Sequence, residues 1–94
     1  IRALEPLEGT HIMRQNRKNK PVSELTNGPA KVCQALQINR EWGGHDLRQP
    51  PLQLIIRPPL QQEQIVQTTR VGITRAADVP WRFYERGNAY VSKL

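Results

Sequence analysis

Hydrophobic positions along the chain change their spacing about halfway. Val32, Cys33 and Leu36 fall on one face of a helix, whereas Trp81 and Phe83 alternate with Arg82 and Tyr84 as on a strand. The helix starts at Asn27-Gly28-Pro29, where Pro29 suits a first-turn position that needs no N–H donor, and it runs to about Gln37. Nearer the start of the chain, Thr10 is placed to cap a short helix reaching about Arg17. Asn19 to Leu25, with Pro21 and no period, reads as a loop, and Asn39 to Pro51, broken by Gly43-Gly44 and Pro50-Pro51, as a longer one. Strand composition appears at Leu52 to Arg57, which stops at Pro58-Pro59, and again at Gln64 to Ile73. The third strand holds Trp81 to Tyr84 and ends at Gly87-Asn88, after which Tyr90-Val91-Ser92 returns as a hairpin arm. No repeat and no linker interrupts this order. The pattern predicts one α+β unit over residues 1–94, short helices first and antiparallel strands after them.

Composition limits how well that unit stands alone. Leu, Ile, Val and Phe make up 23 of 94 residues, above the roughly 20% under which a charged chain stays disordered. A chain of this size buries only about 60–65% of its unfolded surface, so a covering neighbour matters. Eight Pro and six Gly without a period exclude a coiled coil and collagen. The longest apolar run, Leu54-Ile55-Ile56, is far short of a membrane span. The chain opens directly on Ile1-Arg2-Ala3-Leu4 without Met or a signal peptide, and it reads as cut from something longer. The final Ser92-Lys93-Leu94 spells a peroxisomal address, a three-letter match that chance accounts for.

Charge then points to a partner. Fourteen basic against eight acidic residues give +6, which favours a polyanion. Residues 1–40 carry seven basic and three acidic side chains, and Arg14, Arg17, Lys18 and Lys20 lie together with no acid among them. That run reads equally as a solvated helix end or as a phosphate-contacting patch. A sharper candidate is Asn27 to Lys31, where a glycine and a lysine sit at a helix start that already presents positive potential. Free first-turn N–H groups, close approach at Gly28 and the Lys31 ammonium together suit a DNA phosphate, and a solvated lysine on an ordinary helix is the alternative.

Enzyme templates find little to hold. His11 and His45 are 34 positions apart in polar stretches and read as exposed; Cys33 reads as a buried, inert thiol; no metal site and no cofactor are expected. Ser23 and Ser92 lack the setting of a nucleophile elbow, and Glu5 with Glu8 reads as a solvated turn and not a catalytic pair. Four of the five aromatics cluster at Trp81, Phe83, Tyr84 and Tyr90, and the first two read as core.

Four ordered stretches carry a resemblance. Arg2-Ala3-Leu4-Glu5-Pro6-Leu7-Glu8-Gly9, Gly28 to Leu36 continuing to Ile38-Asn39, Arg70-Val71-Gly72-Ile73, and Pro80-Trp81-Arg82-Phe83-Tyr84 with Gly87-Asn88 and Val91-Ser92 resemble the C-terminal half of an alkyladenine (3-methyladenine, or methylpurine) DNA glycosylase, in a bacterial style. The resemblance implies a larger mixed α/β glycosylase domain of which 1–94 is an incomplete part. It also implies base excision repair on double-stranded DNA: an alkylated purine is flipped out and its N-glycosidic bond is hydrolysed by water, without a metal or a lasting covalent intermediate. On the same ground the general base, the aromatics that sandwich the base and the tyrosine wedge belong to a missing N-terminal half. Arg2 matches an arginine at the active-site edge, and Lys31 and Arg40 match basic positions that hold DNA phosphates; Gly28 joins them as a DNA-backbone site on the physical reading of the helix start. Ala30 stands where some relatives have a serine, so a side-chain hydrogen bond to phosphate is not expected there. The expected setting is cytoplasmic and nucleoid-associated, with no membrane partner. A non-enzymatic basic DNA-binding module reusing the same surface is the alternative.

Overall fold

The structure, a computed structural model, describes residues 1–72 and 74–91. Expectations that fall on Ile73, at the end of the second strand, and on Ser92, Lys93 and Leu94 lie outside the described residues. The elements are a helix α1 at Thr10–Asn16, a 3-10 turn at Val22–Glu24, a helix α2 at Pro29–Leu36, 3-10 turns at Arg40–Trp42 and Gln62–Gln64, and strands β1 at Ile65–Thr68 and β2 at Arg82–Glu85. Helices thus precede an antiparallel strand pair, the α+β order read from the sequence.

Helix α1 is entered through Gly9 and not through Thr10. Gly9 takes φ 72°, a left-handed conformation that favours glycine, and its carbonyl accepts the N–H groups of Ile12 and Met13 at 3.0 and 3.1 Å. The sharp reversal after Leu7-Glu8 needs that positive φ, so Thr10 becomes the first helical residue and caps nothing. Helix α2 begins as expected, with Gly28 flanking it, Pro29 in the first turn and the Val32 N–H donating to the Gly28 carbonyl at 2.9 Å. Gln37 ends it in the left-handed region, and the Ile38 N–H reaches back to the Cys33 carbonyl at 2.8 Å, which satisfies an end carbonyl.

The two helices are joined by side-chain amides. Asn16 Nδ2 donates to the Ala35 carbonyl at 2.8 Å, and Gln37 Nε2 donates to Asn16 Oδ1 at 3.2 Å. That approach places Val32 and Ala35, three residues apart, inward. Cys33 is therefore exposed, which corrects the buried thiol expected from the sequence. Asn16 holds the Ala35 carbonyl, and the buried face of α2 is the one carrying Val32 and Ala35, with Cys33 outside it. Beneath the helices Leu25 is 0% exposed, and Thr26 beside it donates its hydroxyl to the Leu4 carbonyl at 2.6 Å while its own carbonyl accepts the Leu4 N–H at 3.0 Å. Among the described residues Pro6, Leu25, Thr26, Val32 and Ala35 are the buried set.

No strand forms at Leu52 to Arg57. The preceding loop uses its backbone groups instead: the Leu54 N–H donates to the Leu47 carbonyl at 2.8 Å, and His45 Nε2 lies 2.9 Å from the Leu52 carbonyl and 3.1 Å from that of Gln49. Carbonyls only accept, so the shared hydrogen sits on His45 Nε2. Ile55 and Ile56 then run on in the open, Ile56 93% exposed. The Asn19 to Leu25 loop similarly contains the 3-10 turn at Val22–Glu24.

β1 and β2 pair with Ile65 opposite Glu85, Val66 opposite Tyr84, Gln67 opposite Phe83 and Thr68 opposite Arg82. Val66, Thr68, Arg82 and Tyr84 are half-buried, whereas Ile65, Gln67, Phe83 and Glu85 are exposed on the other face. The alternation is the one expected; its burial is reversed. Trp81 and Phe83, read as core, are 61% and 62% exposed: the Arg70 guanidinium lies against Trp81, but the described residues leave most of both rings open. Beyond Gly87 the chain turns at Asn88 to Tyr90, and no returning strand is formed by the described residues there.

Candidate nucleic-acid interface

Clamping Leu4 to Thr26 brings the chain's first residues beside the start of α2 and across from β2. An open groove of about 640 Å³ lies between them, with Ile1, Arg2, Gly28, Trp81 and Tyr84 among its walls. Arg2 and Gly28, proposed from separate motifs 26 positions apart in the chain, thus face one cavity. Lys31 stands just behind it. Its side chain is half-buried along Gly28, where an added Cβ would meet Lys31 Cδ at 3.6 Å, and its Nζ donates to Asn27 Oδ1 at 2.8 Å. The ammonium is drawn back toward the helix start, with two donors left over, which concentrates positive potential there. Arg40 lies apart, exposed in the 3-10 turn after α2 and outside the groove walls.

The basic run after α1 divides. Arg14, Lys18 and Lys20 are exposed, whereas Arg17 is half-buried and donates to Gln34 Oε1 at 2.6 Å and to the Glu24 carbonyl at 3.1 Å. His11 is exposed as expected, but His45 is half-buried, its ring 5.1 Å from that of Trp42 in an edge-on contact. Among the described residues no three His, Cys, Asp or Glu side chains gather as a metal site would need. Glu5 belongs to the groove wall and Glu8 does not.

Sequence reasoning missed two arginines. Arg70 lies 5.3 Å from the centre of the Trp81 ring, and Arg82 lies 4.5 Å from that of Tyr84, all four on the groove. The period of two placed Arg82 and Tyr84 on one face and could have signalled their contact; nothing in the spacing joins Arg70 to Trp81. Outside the groove, Arg48 hydrogen bonds hold the Asp46 carboxyl below its ordinary value of 3.8. The pair meets at 2.8 Å on an exposed loop.

The groove and its arginines define a small α+β unit with a cationic face at a helix start. The chain belongs to the methylpurine-DNA glycosylase (MPG) family, whose model matches residues 1–89. A protein of Methanoculleus marisnigri named "Putative 3-methyladenine DNA glycosylase" is 49% identical over 96 residues, covering 99% of this chain and 50% of that protein. Proteins of the same name from Carboxydothermus hydrogenoformans and Nitrosospira multiformis are 46% and 44% identical, with 99% of this chain covered and 49% and 47% of theirs. The chain spans about half the length of the curated relatives it matches. Among the described residues no helix is long and apolar enough to cross a membrane.

Proposed function

We propose that this chain is half of a monofunctional DNA glycosylase that removes alkylated purines of the 3-methyladenine class from double-stranded DNA. The observation that supports this is the family match over residues 1–89, which takes in the stretches that carry the resemblance up to Gly87-Asn88. In that reaction water adds at the deoxyribose C1′, one of its protons goes to a general base, and the flipped purine leaves with the electron pair of the broken C–N bond. The general base lies in the other half of the protein. This half grips the duplex: the first-turn N–H groups after Gly28 and the Lys31 ammonium meet one phosphate, Arg40 meets another, and Arg2 closes the edge of the pocket. These donors recognise backbone and not base edges, so the grip is independent of sequence. The setting proposed for the whole protein is the cytoplasm, in association with the nucleoid.

Two measurements test the reading. The full-length protein should release free 3-methyladenine from a methylated duplex under single-turnover conditions, and the 94-residue chain alone should release none above a no-protein control. Release by the short chain would place the general base within residues 1–94. In the full-length protein, Lys31→Ala should weaken binding to all duplexes alike and lower the salt slope by about 1, as for one lost phosphate contact. Unchanged affinity with an unchanged slope would make Lys31 a solvated lysine, and loss confined to some sequences would mean base readout.

A further inference from the structure

Asn27 and Gly28 form the one Asn-Gly pair in the sequence, and the side-chain oxygen of Asn27 is occupied by a cation. Lys31 Nζ donates to Asn27 Oδ1 at 2.8 Å, so an ammonium already sits on the atom that would take up negative charge if a nucleophile added to Cγ. The chain supplies that nucleophile itself. When the Gly28 nitrogen attacks Asn27 Cγ it closes a five-membered ring, and the covalent chain keeps the two atoms near each other. Among the described residues nothing accepts the Gly28 N–H and nothing holds Asn27 Nδ2, so neither the attacking nor the leaving group is engaged elsewhere. Gly28 has no Cβ to crowd its nitrogen, and the helix start and the ammonium both favour loss of the amide proton. Both residues face the open groove, which admits the water that the reaction consumes.

We infer that Asn27 is a self-modifying site that switches off the phosphate grip at the start of α2. The Gly28 nitrogen gives its proton to hydroxide and bonds to Asn27 Cγ while Lys31 stabilises the oxyanion. The Cγ–Nδ2 bond then breaks, and the departing nitrogen takes a proton from water and leaves as ammonia. Water opens the cyclic imide. Cleavage of the new N–Cγ bond gives aspartate; cleavage of the bond from that nitrogen to the Asn27 main-chain carbonyl gives isoaspartate, which reroutes the backbone through Cβ and Cγ. Either product sets a carboxylate beside Lys31 Nζ, where it pairs with the ammonium and repels phosphate from the helix start. The neutral anchor of the lysine thus becomes a competitor of DNA for it. This rests on the reading of Lys31 as a phosphate contact, and it adds a one-way loss of that contact as the protein ages.

The test holds the full-length protein at neutral pH in heavy-oxygen water and follows its peptides by mass spectrometry. Residue 27 should gain one heavy oxygen, as aspartate and isoaspartate together, about tenfold or more faster than Asn16, Asn19, Asn39 and Asn88 in the same sample. Lys31→Met should slow the conversion about tenfold, as for one lost charged donor to the oxyanion. Gly28→Ala should slow it too while keeping the fold, since a φ of −171° suits any residue and the added Cβ meets the Lys31 stem at an ordinary 3.6 Å. No conversion at residue 27, aspartate without isoaspartate, or an unchanged rate in Lys31→Met would overturn the inference. The aged protein and Asn27→Asp should both bind duplexes of every sequence about tenfold more weakly than fresh protein. Conversion with undiminished binding would overturn the switch, and the phosphate reading of Lys31 with it. Weakened binding by Asn27→Asp without any conversion in the parent would defeat the inference and leave that reading standing.

Discussion

The two ends of the molecule solve the burial problem differently. All of the buried residues among those described lie between Pro6 and Ala35, where two short helices, a 3-10 turn and the Leu4–Thr26 clamp close over Leu25. From Gln37 onward the described residues reach at most half-burial, and large apolar side chains such as Ile56, Trp81 and Phe83 face outward. The first region stabilises itself with contacts made inside the chain. The second has regular backbone pairing, but among the described residues its large apolar side chains stay open, so its stability depends on what is brought to it. Local pairing and burial are therefore separable: the β1–β2 register is complete in its backbone hydrogen bonds while one face of the pair stays exposed.

Substitutions in the full-length protein can break or sharpen this contrast. The largest effect belongs to Leu25→Ala, which should lose about 2–5 kcal/mol in urea unfolding, since a fully buried leucine leaves a cavity. Phe83→Ala follows: if the rest of the full-length protein covers the second region, it should lose about 3–5 kcal/mol despite the exposure of Phe83 in this chain. A loss under about 0.5 kcal/mol would leave that region as true surface. On the outer face of α2, Cys33→Ser should change stability by no more than about 0.5 kcal/mol. A larger loss would mean that the other half packs on that side of the helix.

The smallest effect is that of Arg48→Met. Because Arg48 holds the Asp46 carboxyl below 3.8, the pair stabilises the fold above that pH, and the contribution is lost as pH falls through the lower folded value. Protein and variant should differ slightly at neutral pH, converge in acid below that range, and converge in high salt, as followed by thermal melts. A difference that survives in acid would assign it to the arginine's packing and not to its charge.

How much was legible follows the same divide. The start of α2 could be read because Pro29 and Gly28 act through local backbone preference, and the Arg82–Tyr84 alternation because a strand's faces follow from its period. Of the site, Arg2, Gly28, Lys31 and Arg40 could be singled out, and the structure places the first two on one groove, Lys31 behind it and Arg40 apart. What failed depended on partners. Strand composition at Leu52 to Arg57 says nothing of His45 and Leu47 claiming the adjoining backbone groups. Which face of α2 is buried goes with an amide that α1 brings to the Ala35 carbonyl. Trp81 and Phe83 have the chemistry of core residues, but chemistry does not say which chain segment covers them.

Arg17 shows that a charge can be counted correctly and still be unavailable. Its fork reaches two acceptors on different elements, Gln34 on α2 and the carbonyl of Glu24 in the 3-10 turn. A lysine would keep the formal charge, yet its single ammonium lacks the planar fork that spans both acceptors. The run from Arg14 to Lys20 is thus part exposed charge and part scaffold. In a salt titration on DNA, Arg17 would release no counterion; it acts as a rivet between helix and turn.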